Sequence, residues 1–404
     1  MDRTLVHCRS VTWTRCLYNA HFIYSPTSNA RLDTRLPLCY QLRVRSELLK
    51  NASRIVVKLG TGVLTNADKQ PELGQMEQLV GQVASLRGTG KEVVLVTSGA
   101  VGAGMGVLGY QRRPGGLAEL QACAAVGQSR LMAMYEQLFA KWGLPVAQVL
   151  LTHDDLEHHD RHLNVRNTLV NLLQRAGPGV VPIINENDAV SFTELKFGDN
   201  DKLSALVASL LPADLLVILT TVDGVIRDFG RPGARVIPTI DQIDDELERI
   251  AGGTDSATAV GGMASKIQAA RIVVRAGIPL VIASGRKPNV LANILSGGEE
   301  GTIFIPQPNR LKGRKRWIAF FHHPKGSLIV DEGAKKALRD GGKSLLPPGV
   351  SRCEGSFAAG DIVRICDLNG TEFARGIARF ASREIADHQL QRTEVVHRDD
   401  LVIL

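Results

Sequence analysis

Short apolar runs separated by amphipathic helical segments are the feature that most constrains the fold of this chain. Six runs are apolar almost throughout, and they lie at residues 54–59, 92–97, 146–151, 180–184, 215–219 and 280–283. A strand without polar alternation is buried on both faces, and intervening helices cover the faces of a parallel sheet. The sequence therefore predicts an α/β fold with a mostly parallel sheet and helices on both of its faces.

The pattern changes near Pro306 and indicates a second domain. Beyond that residue the chain contains short strand-like runs interrupted by glycine and charged residues, which is typical of a small β-barrel-like domain. We expect the first domain at residues 51–306, a basic linker at 307–325 and the second domain at 326–404.

The first fifty residues differ in composition from the rest of the chain. They hold eight basic residues against three acidic ones, two prolines and no steady hydrophobic period. A transit peptide, a disordered tail and translated sequence upstream of the true start all fit this composition, and the two plainer explanations are favoured. We therefore predict that residues 1–50 are an extension that is disordered or not native, and that activity survives its removal.

The net charge of +7 does not by itself indicate a nucleic-acid partner. Most of the excess lies in the first fifty residues, and basic and acidic residues nearly balance in the remainder. Bulk charge therefore gives no electrostatic footprint for nucleic acid. The six cysteines have no C-x-x-C spacing, and no apolar run is long enough to span a bilayer, which fits a cytoplasmic protein without a membrane partner.

A dense group of acids and amides follows the fourth apolar run. The stretch from residue 184 to 206 gathers several of them, among which are Glu186, Asp188, Asp199, Asp201, Asn185, Asn187 and Asn200. Acids this close together repel one another unless a cation, an ammonium group or a lysine lies between them. The stretch predicts a polar binding site, with Asp201 at the N-cap of the helix that follows.

Other polar residues also lie where apolar runs end. In a parallel sheet the carboxyl ends of the strands meet at one edge, and ligands bind beyond that edge. We therefore expect a single site built from strand-end residues, which are Lys58, Gly60, Ser98, Asn185, Asp188 and Thr220.

The residue types at this edge indicate phosphoryl transfer. Glycine-rich turns at 60–62 and 98–104 can offer backbone N–H groups to phosphate oxygens. Lys58 and Lys266 can neutralise the charge on a phosphoryl group in transfer, while the acids can hold Mg²⁺, orient the lysines or bind a substrate ammonium group. The chain has no G-x-x-x-x-G-K-[ST] motif, so it is not a P-loop enzyme.

Several motifs resemble the glutamate 5-kinase family of the amino acid kinase superfamily. They are KLGTG at 58–62, VTSGA at 96–100, AAVGQSRL at 124–131, INENDAV at 184–190, GDNDKLSA at 198–205, GGMASK at 261–266 and RAGI at 275–278. Three further motifs resemble the C-terminal PUA domain of that family, and they are DEGA at 331–334, SLLPPGV at 344–350 and HRDD at 397–400.

The resemblance implies an activity, a cofactor, an inhibitor and an oligomeric state. The activity is ATP-dependent phosphorylation of the γ-carboxylate of L-glutamate, the first step of proline synthesis, in the cytoplasm. The resemblance also implies Mg²⁺ as cofactor, proline as feedback inhibitor and a homo-oligomer, either a dimer or a tetramer.

Matching the motifs position by position implies three sets of site residues. The catalytic set comprises Lys58, Lys266, Asp199 and Asp201. The glutamate-binding set comprises Ser98, Asp188, Asn200 and Asn185. The ATP-binding set comprises Lys58, Gly60, Thr61, Thr220, Thr221, Val260, Gly261, Gly262, Met263, Ala264, Ser265 and Lys266. No residue is assigned as a metal ligand.

Some positions depart from the family pattern. Gly62 stands where serine is usual, and Val260 replaces threonine or serine. The segment TVDGVIRD at 221–228 replaces a more typical T-D-x-x-G-L-Y-x-x-D-P, so the acid after the first threonine, the tyrosine and the proline are missing. These departures leave a weakened kinase as one alternative. Two others are a kinase of the same superfamily with a different acceptor, and an RNA-binding protein that acts through the PUA domain, which the charge balance does not support.

Overall fold

The structure, a computed structural model, describes residues 38–66, 70–175, 179–191, 200–252, 262–306, 311, 313–321, 324–386 and 393–404. Residues 42–404 form one compact unit. None of the helices in the described ranges combines the length and apolarity needed to cross a membrane.

The apolar runs form the strands of an eight-stranded sheet, in the order β3-β4-β2-β1-β5-β9-β10-β8. Six strands run parallel, and they are β1 (Arg54–Leu59), β2 (Glu92–Val96), β3 (Val146–Leu151), β4 (Val181–Glu186), β5 (Leu215–Thr220) and β9 (Leu280–Ser284). Two short strands, β8 (Thr239–Ile240) and β10 (Thr302–Phe304), run antiparallel to them at one edge. The prediction of a mostly parallel sheet is confirmed. A separate two-stranded ribbon joins β6 (Ile226–Arg227) to β7 (Arg235–Val236).

Helices cover both faces of this sheet. They are α1 (Leu38–Lys50), α2 (Thr61–Leu64), α3 (Leu73–Gly88), α4 (Ala100–Leu108), α5 (Leu117–Ala140), α6 (His153–Glu157), α7 (His159–Leu173), α8 (Asn200–Leu210), α9 (Asp245–Gly252), α10 (Met263–Arg275) and α11 (Val290–Leu295). Alternate residues of β1 enter two different cores: Val56 packs with α8 and α10, whereas Ile55 and Val57 pack with α3 and α5. A central strand buried on both faces explains why its sequence is apolar throughout.

The C-terminal part of the chain forms a second sheet, in the order β12-β11-β13-β14-β15. Its strands are β11 (Gly326–Val330), β12 (Val350–Gly355), β13 (Ile362–Cys366), β14 (Glu372–Ile377) and β15 (Leu401–Ile403). Three helices accompany it: α12 (Gly313–Phe320), α13 (Glu332–Arg339) and α14 (Ser382–Ala386). The helix α12 lies within the segment predicted as a basic linker, and Arg375 of β14 donates to its Ala319 carbonyl (2.9 Å).

Helices α4 and α5 cross at unusually close range. A Cβ atom on Gly104 of α4 would lie 1.8 Å from the Cys123 carbonyl oxygen of α5, and one on Gly127 would lie 1.8 Å from the Ala100 carbonyl oxygen. The backbones of α4 and α5 are therefore in direct contact, and only glycine fits at residues 104 and 127. This contact sets the distance between the turn after β2, where α4 begins, and the helix α5.

Residues 38–50, within the extension predicted to be disordered or not native, form α1. Leu49 is fully buried in the core beside β1, and Arg45 is buried as well. The Arg45 guanidinium donates to the carbonyls of Gly298 (3.0 Å), Pro238 (2.9 Å) and Glu300. Burial lowers the pKa of Arg45, an effect that Glu299 and Glu300 oppose. Residues 1–37 lie outside the described residues.

We expect Arg45→Ala to lower the free energy of unfolding by about 2–4 kcal/mol, because three backbone carbonyls lose a charged donor and a buried side chain is removed. Urea unfolding of the purified variant measures this change. Lys50→Ala, on the exposed end of the same helix, is the matched control. Equal unfolding midpoints for the two variants would show that α1 does not anchor the fold.

Candidate active site

A buried carboxylate holds two lysines at the carboxyl edge of the parallel strands. Lys58 Nζ lies 2.6 Å from Asp201 Oδ1, and Lys266 Nζ lies 2.9 Å from Asp201 Oδ2. The exposed fractions are 2% for Lys58, 0% for Asp201 and 5% for Lys266, so all three charges are removed from bulk solvent. Among the described side chains, two ammonium groups converge on one carboxylate, and such a concentration of positive charge suits an anionic ligand.

Three different elements deliver these side chains. Lys58 comes from the end of β1, Asp201 from the first turn of α8 and Lys266 from the first turn of α10. Ser265 supports the arrangement, because its Oγ donates to Asp201 Oδ2 (2.8 Å). Asp201 is not the N-cap that the sequence predicted, since α8 already begins at Asn200, and its carboxylate is engaged by the two lysines.

Side-chain amides connect the neighbouring strand ends. The Asn200 amide nitrogen donates to the Thr97 carbonyl, to Asn185 Oδ1 (2.8 Å) and to Ser98 Oγ (3.3 Å). Asn185 in turn donates to Gln128 Oε1 (2.8 Å). The network therefore fixes the ends of β2 and β4 relative to the start of α8.

Two partners of this network did not emerge from the sequence. Gln128 of α5 joins it through Asn185, and Gln128 also donates to Gln148 Oε1 of β3 (3.1 Å). The AAVGQSRL motif, which contains Gln128, could have drawn attention to this residue. A position within a predicted helix does not show, however, which distant amide the side chain will bind.

Ser98 directly precedes Gly99, which is the N-cap of α4 and has a φ of 103°.

A cavity of about 210 Å³ opens beside this network. Its polar lining comes from α5, β3 and the end of β4, and consists of Gln128, Ser129, Gln148, Glu186, Asn187 and Asp188. Ala100, at the start of α4, forms part of the apolar wall. Asp188 thus lines a concave site, and Gln128 connects that site to Asn185.

The glycine turn after β1 lies against the end of β5. The Gly60 N–H donates to the Leu219 carbonyl (3.0 Å), and a Cβ atom on Gly60 would lie 3.1 Å from that oxygen. The two strands are adjacent in the sheet, so Thr61 and Thr220 belong to one edge. Short helix α2 starts at Thr61, and the first N–H groups of a helix have no intrahelical acceptor.

Two of the departures from the family pattern, at residues 62 and 221, contact each other. A Cβ atom on Gly62 would lie 2.9 Å from the Thr221 Cγ2 methyl, closer than real Cβ atoms approach. The threonine methyl therefore occupies the space that a serine side chain at residue 62 would need, and the absence of a side chain at 62 accommodates it.

The structure describes only part of the predicted ATP-binding segment at 260–266. Gly262 is the extended N-cap of α10, and Met263, Ala264 and Ser265 form the first turn of that helix before Lys266. Asp199, Val260 and Gly261 lie outside the described residues.

Comparison with known proteins gives two family matches. Residues 53–284 match the amino acid kinase family, and residues 326–398 match the PUA domain. The chain is 47% identical over 376 residues to a glutamate 5-kinase of Geobacter sulfurreducens, covering 89% of this chain and 100% of that protein. The chain belongs to the amino acid kinase family, among the glutamate 5-kinases.

Other members show the same extent of similarity. A glutamate 5-kinase of Caldanaerobacter subterraneus is 46% identical over 366 residues, covering 87% of this chain and 98% of that protein. Among solved structures, carbamate kinase from Giardia lamblia bound to AMP-PNP has a TM-score of 0.46 and 19% identity, covering 64% of this chain and 100% of that one.

Kinases of this family use a nucleotide, and Mg²⁺ was expected to accompany it. The described residues contain no group of three or more His, Cys, Asp or Glu that could hold a metal ion. Asp201, the most buried acid of the site, is engaged by two lysines instead. The side chains described here do not fit a protein-held ion, and no step below depends on one.

We expect Asp201→Asn to lower kcat by about 10²–10³-fold, because two buried ammonium groups lose the charge that positions them. Steady-state release of ADP measures it. Ser265→Ala removes one hydrogen bond to the same carboxylate without changing its charge. We expect this variant to lower kcat by about tenfold or less. A kcat for Asp201→Asn within fivefold of the wild-type value would remove Asp201 from the site.

The contact between residues 62 and 221 predicts a coupled pair of variants. Gly62→Ser should raise the KM for ATP by about fivefold, equivalent to about 1 kcal/mol, and adding Thr221→Ser should cancel most of that effect by removing the obstructing methyl. A complete kinetic cycle over both positions measures the coupling. Gly74→Ser, where open space surrounds the glycine, is the control. Additive effects in the cycle would contradict the proposed contact.

Proposed function

We propose that this chain transfers the γ-phosphoryl group of ATP to the γ-carboxylate of L-glutamate, giving L-glutamyl 5-phosphate and ADP, at the site around Asp201. The similarity to glutamate 5-kinases over 89% of the chain supports the reaction. The observation that carries the site is the pair of buried lysines held by one carboxylate, between the cavity beside Asp188 and the glycine turn after β1.

The chemistry requires positioning and charge neutralisation more than proton transfer. A carboxylate nucleophile is ionised at neutral pH, so no general base is needed. One of its oxygens forms a bond to the γ-phosphorus while the bond from that phosphorus to the β,γ-bridging oxygen breaks, and ADP leaves with the electron pair. Both reactants are anions, so their approach is opposed unless the site supplies positive charge.

Lys58 and Lys266 supply that charge in the proposed mechanism. Asp201 orients both ammonium groups through separate oxygens, which keeps the donors fixed before the substrates arrive. Preorganised donors in a water-poor site stabilise charge that develops in the transition state more effectively than solvent does. Asp199 is retained as a catalytic residue of the proposal, although it lies outside the described residues.

The cavity lined by Asp188 is the proposed glutamate site. A carboxylate there suits the substrate ammonium group. Ser98, Asn185 and Asn200 complete the proposed glutamate-binding set, and their hydrogen bonds join them to the cavity wall at Gln128. The nucleotide side of the proposal comprises Gly60, Thr61, Thr220, Thr221 and the segment 260–266.

The remaining expectations belong to the same proposal. They are Mg²⁺ brought with ATP, inhibition by proline, a dimer or tetramer, a cytoplasmic location, and a division into a catalytic domain at 51–306 and a PUA domain at 326–404. The family matches at 53–284 and 326–398 support that division.

Purified protein incubated with ATP, Mg²⁺ and L-glutamate should release ADP in a glutamate-dependent manner, since the site is proposed to take both anions together. N-acetylglutamate, carbamate, aspartate and UMP serve as acceptor controls. Lys58→Ala should lower kcat by about 10²-fold or more. Faster turnover with one of the other acceptors would replace glutamate as the substrate, and no acceptor-dependent turnover would reject the kinase assignment.

A further inference from the structure

The loop that follows β9 is fixed at its base to elements of the nucleotide side. The Gly285 N–H donates to the Thr220 carbonyl at the end of β5 (2.9 Å). The Gly285 carbonyl accepts a hydrogen bond from the buried Gln75 side chain of α3 (2.7 Å). A Cβ atom on Gly285 would lie 2.5 Å from Val63 Cγ1 of α2, so the loop also packs directly on the helix that begins at the glycine turn.

Arg286, the next residue, binds the far end of that helix. Its Nη2 donates to the carbonyls of Gly62 (2.9 Å) and Thr65 (2.7 Å), and its Nη1 pairs with Glu72 (2.6 Å). The last carbonyls of a helix have no intrahelical donor and carry partial negative charge. The Arg286 guanidinium therefore satisfies the carbonyls of Gly62 and Thr65 and restrains the glycine turn after β1.

Lys287 binds the loop that follows β5. Its Nζ lies 3.1 Å from Asp223 Oδ1 and 3.2 Å from Glu300 Oε2. Lys287 donates hydrogen bonds to the carboxylates of Asp223 and Glu300, and these bonds raise the pKa of Lys287, the one to Asp223 having the larger effect. Two adjacent residues of one loop thus hold the two segments that flank the carboxyl ends of β1 and β5.

We propose that Arg286 and Lys287 are positioning residues for ATP, which keep the glycine turn at 60–62 and the loop at 221–224 in the geometry that receives the nucleotide. The inference rests on the proposed function in taking ATP as the nucleotide. Arg286 acts through the backbone of the turn, and Lys287 acts through Asp223.

The ion pairs of Arg286 and Lys287 are too exposed to contribute much to the stability of the fold. The side chains of Arg286 and Lys287 are 37% and 41% exposed, and those of Glu72 and Asp223 are 40% and 53% exposed. Ion pairs this exposed contribute little to global stability. Their loss should therefore loosen the two nucleotide segments without unfolding the chain.

The test is ATP binding by calorimetry in the absence of glutamate, together with steady-state kinetics. Arg286→Ala should raise the Kd for ATP by about tenfold, because two charged hydrogen bonds to the turn are lost. The KM for glutamate should change less than twofold, and the thermal midpoint should stay close to the wild-type value. Arg286→Lys keeps the charge but lacks the second nitrogen, so it cannot bind the two carbonyls and Glu72 as the guanidinium does, and an intermediate Kd is expected.

Lys287→Ala should also weaken ATP binding, whereas Arg339→Ala, an exposed arginine of α13, should leave it unchanged. An unchanged Kd for ATP in Arg286→Ala overturns the proposal. So does a lowered thermal midpoint with the Kd for ATP and the KM for glutamate unaltered, since that is the result of a structural role. Wild-type protein that binds ATP but phosphorylates no glutamate would reject the proposed function alone, and wild-type protein that binds no ATP would reject both.

Discussion

The pairing of Asp201 with two lysines is the interaction on which the rest of the site depends. Taking three charged groups out of water is costly, and the cost is offset when each charge meets an opposite one at short range. Lys58, Asp201 and Lys266 satisfy that condition because β1, α8 and α10 bring their polar ends to one point. The apolar packing of these elements therefore determines where the positive charge lies, and a shift of any one of them would leave a buried charge without its partner.

The side-chain amides of Asn200, Asn185 and Gln128 connect the position of Asp201 to the cavity proposed to bind glutamate. Asn200 precedes Asp201 on the same helix turn and reaches the ends of β2 and β4, so the position of the carboxylate and the shape of the cavity are set together. On the opposite side, the close approach of Gly60 to Leu219 joins β1 to the end of β5. The proposed acceptor and nucleotide sites are thus coupled through the adjacent residues Asn200 and Asp201 and through hydrogen bonds between strand ends.

Sequence reasoning predicted the sheet and the clustering of its strand ends, because uniformly apolar strands and parallel topology leave few alternatives. It predicted Asp201 at the N-cap, whereas α8 begins at Asn200 and the carboxylate binds two lysines, since a capping carboxylate and a lysine-bound one look alike in a sequence. Gln128 and Gln148 were missed because their partners are side chains on other elements. The Arg-rich composition before residue 51 suggested disorder, whereas Arg45 finds its three carbonyls in segments more than 190 residues away.

The contact between Gly104 and Gly127 limits how the acceptor specificity of this chain can evolve. Two helices that touch through their backbones cannot be moved apart or together by exchanging side chains at the crossing, so the wall formed by Ala100 and Gln128 is rigid. The opposite wall belongs to a turn at residues 187–189, which has no such restraint from a helix crossing. Selection for longer or bulkier acceptors would therefore act on that turn, and lineages with altered substrate preference should differ there while retaining both glycines.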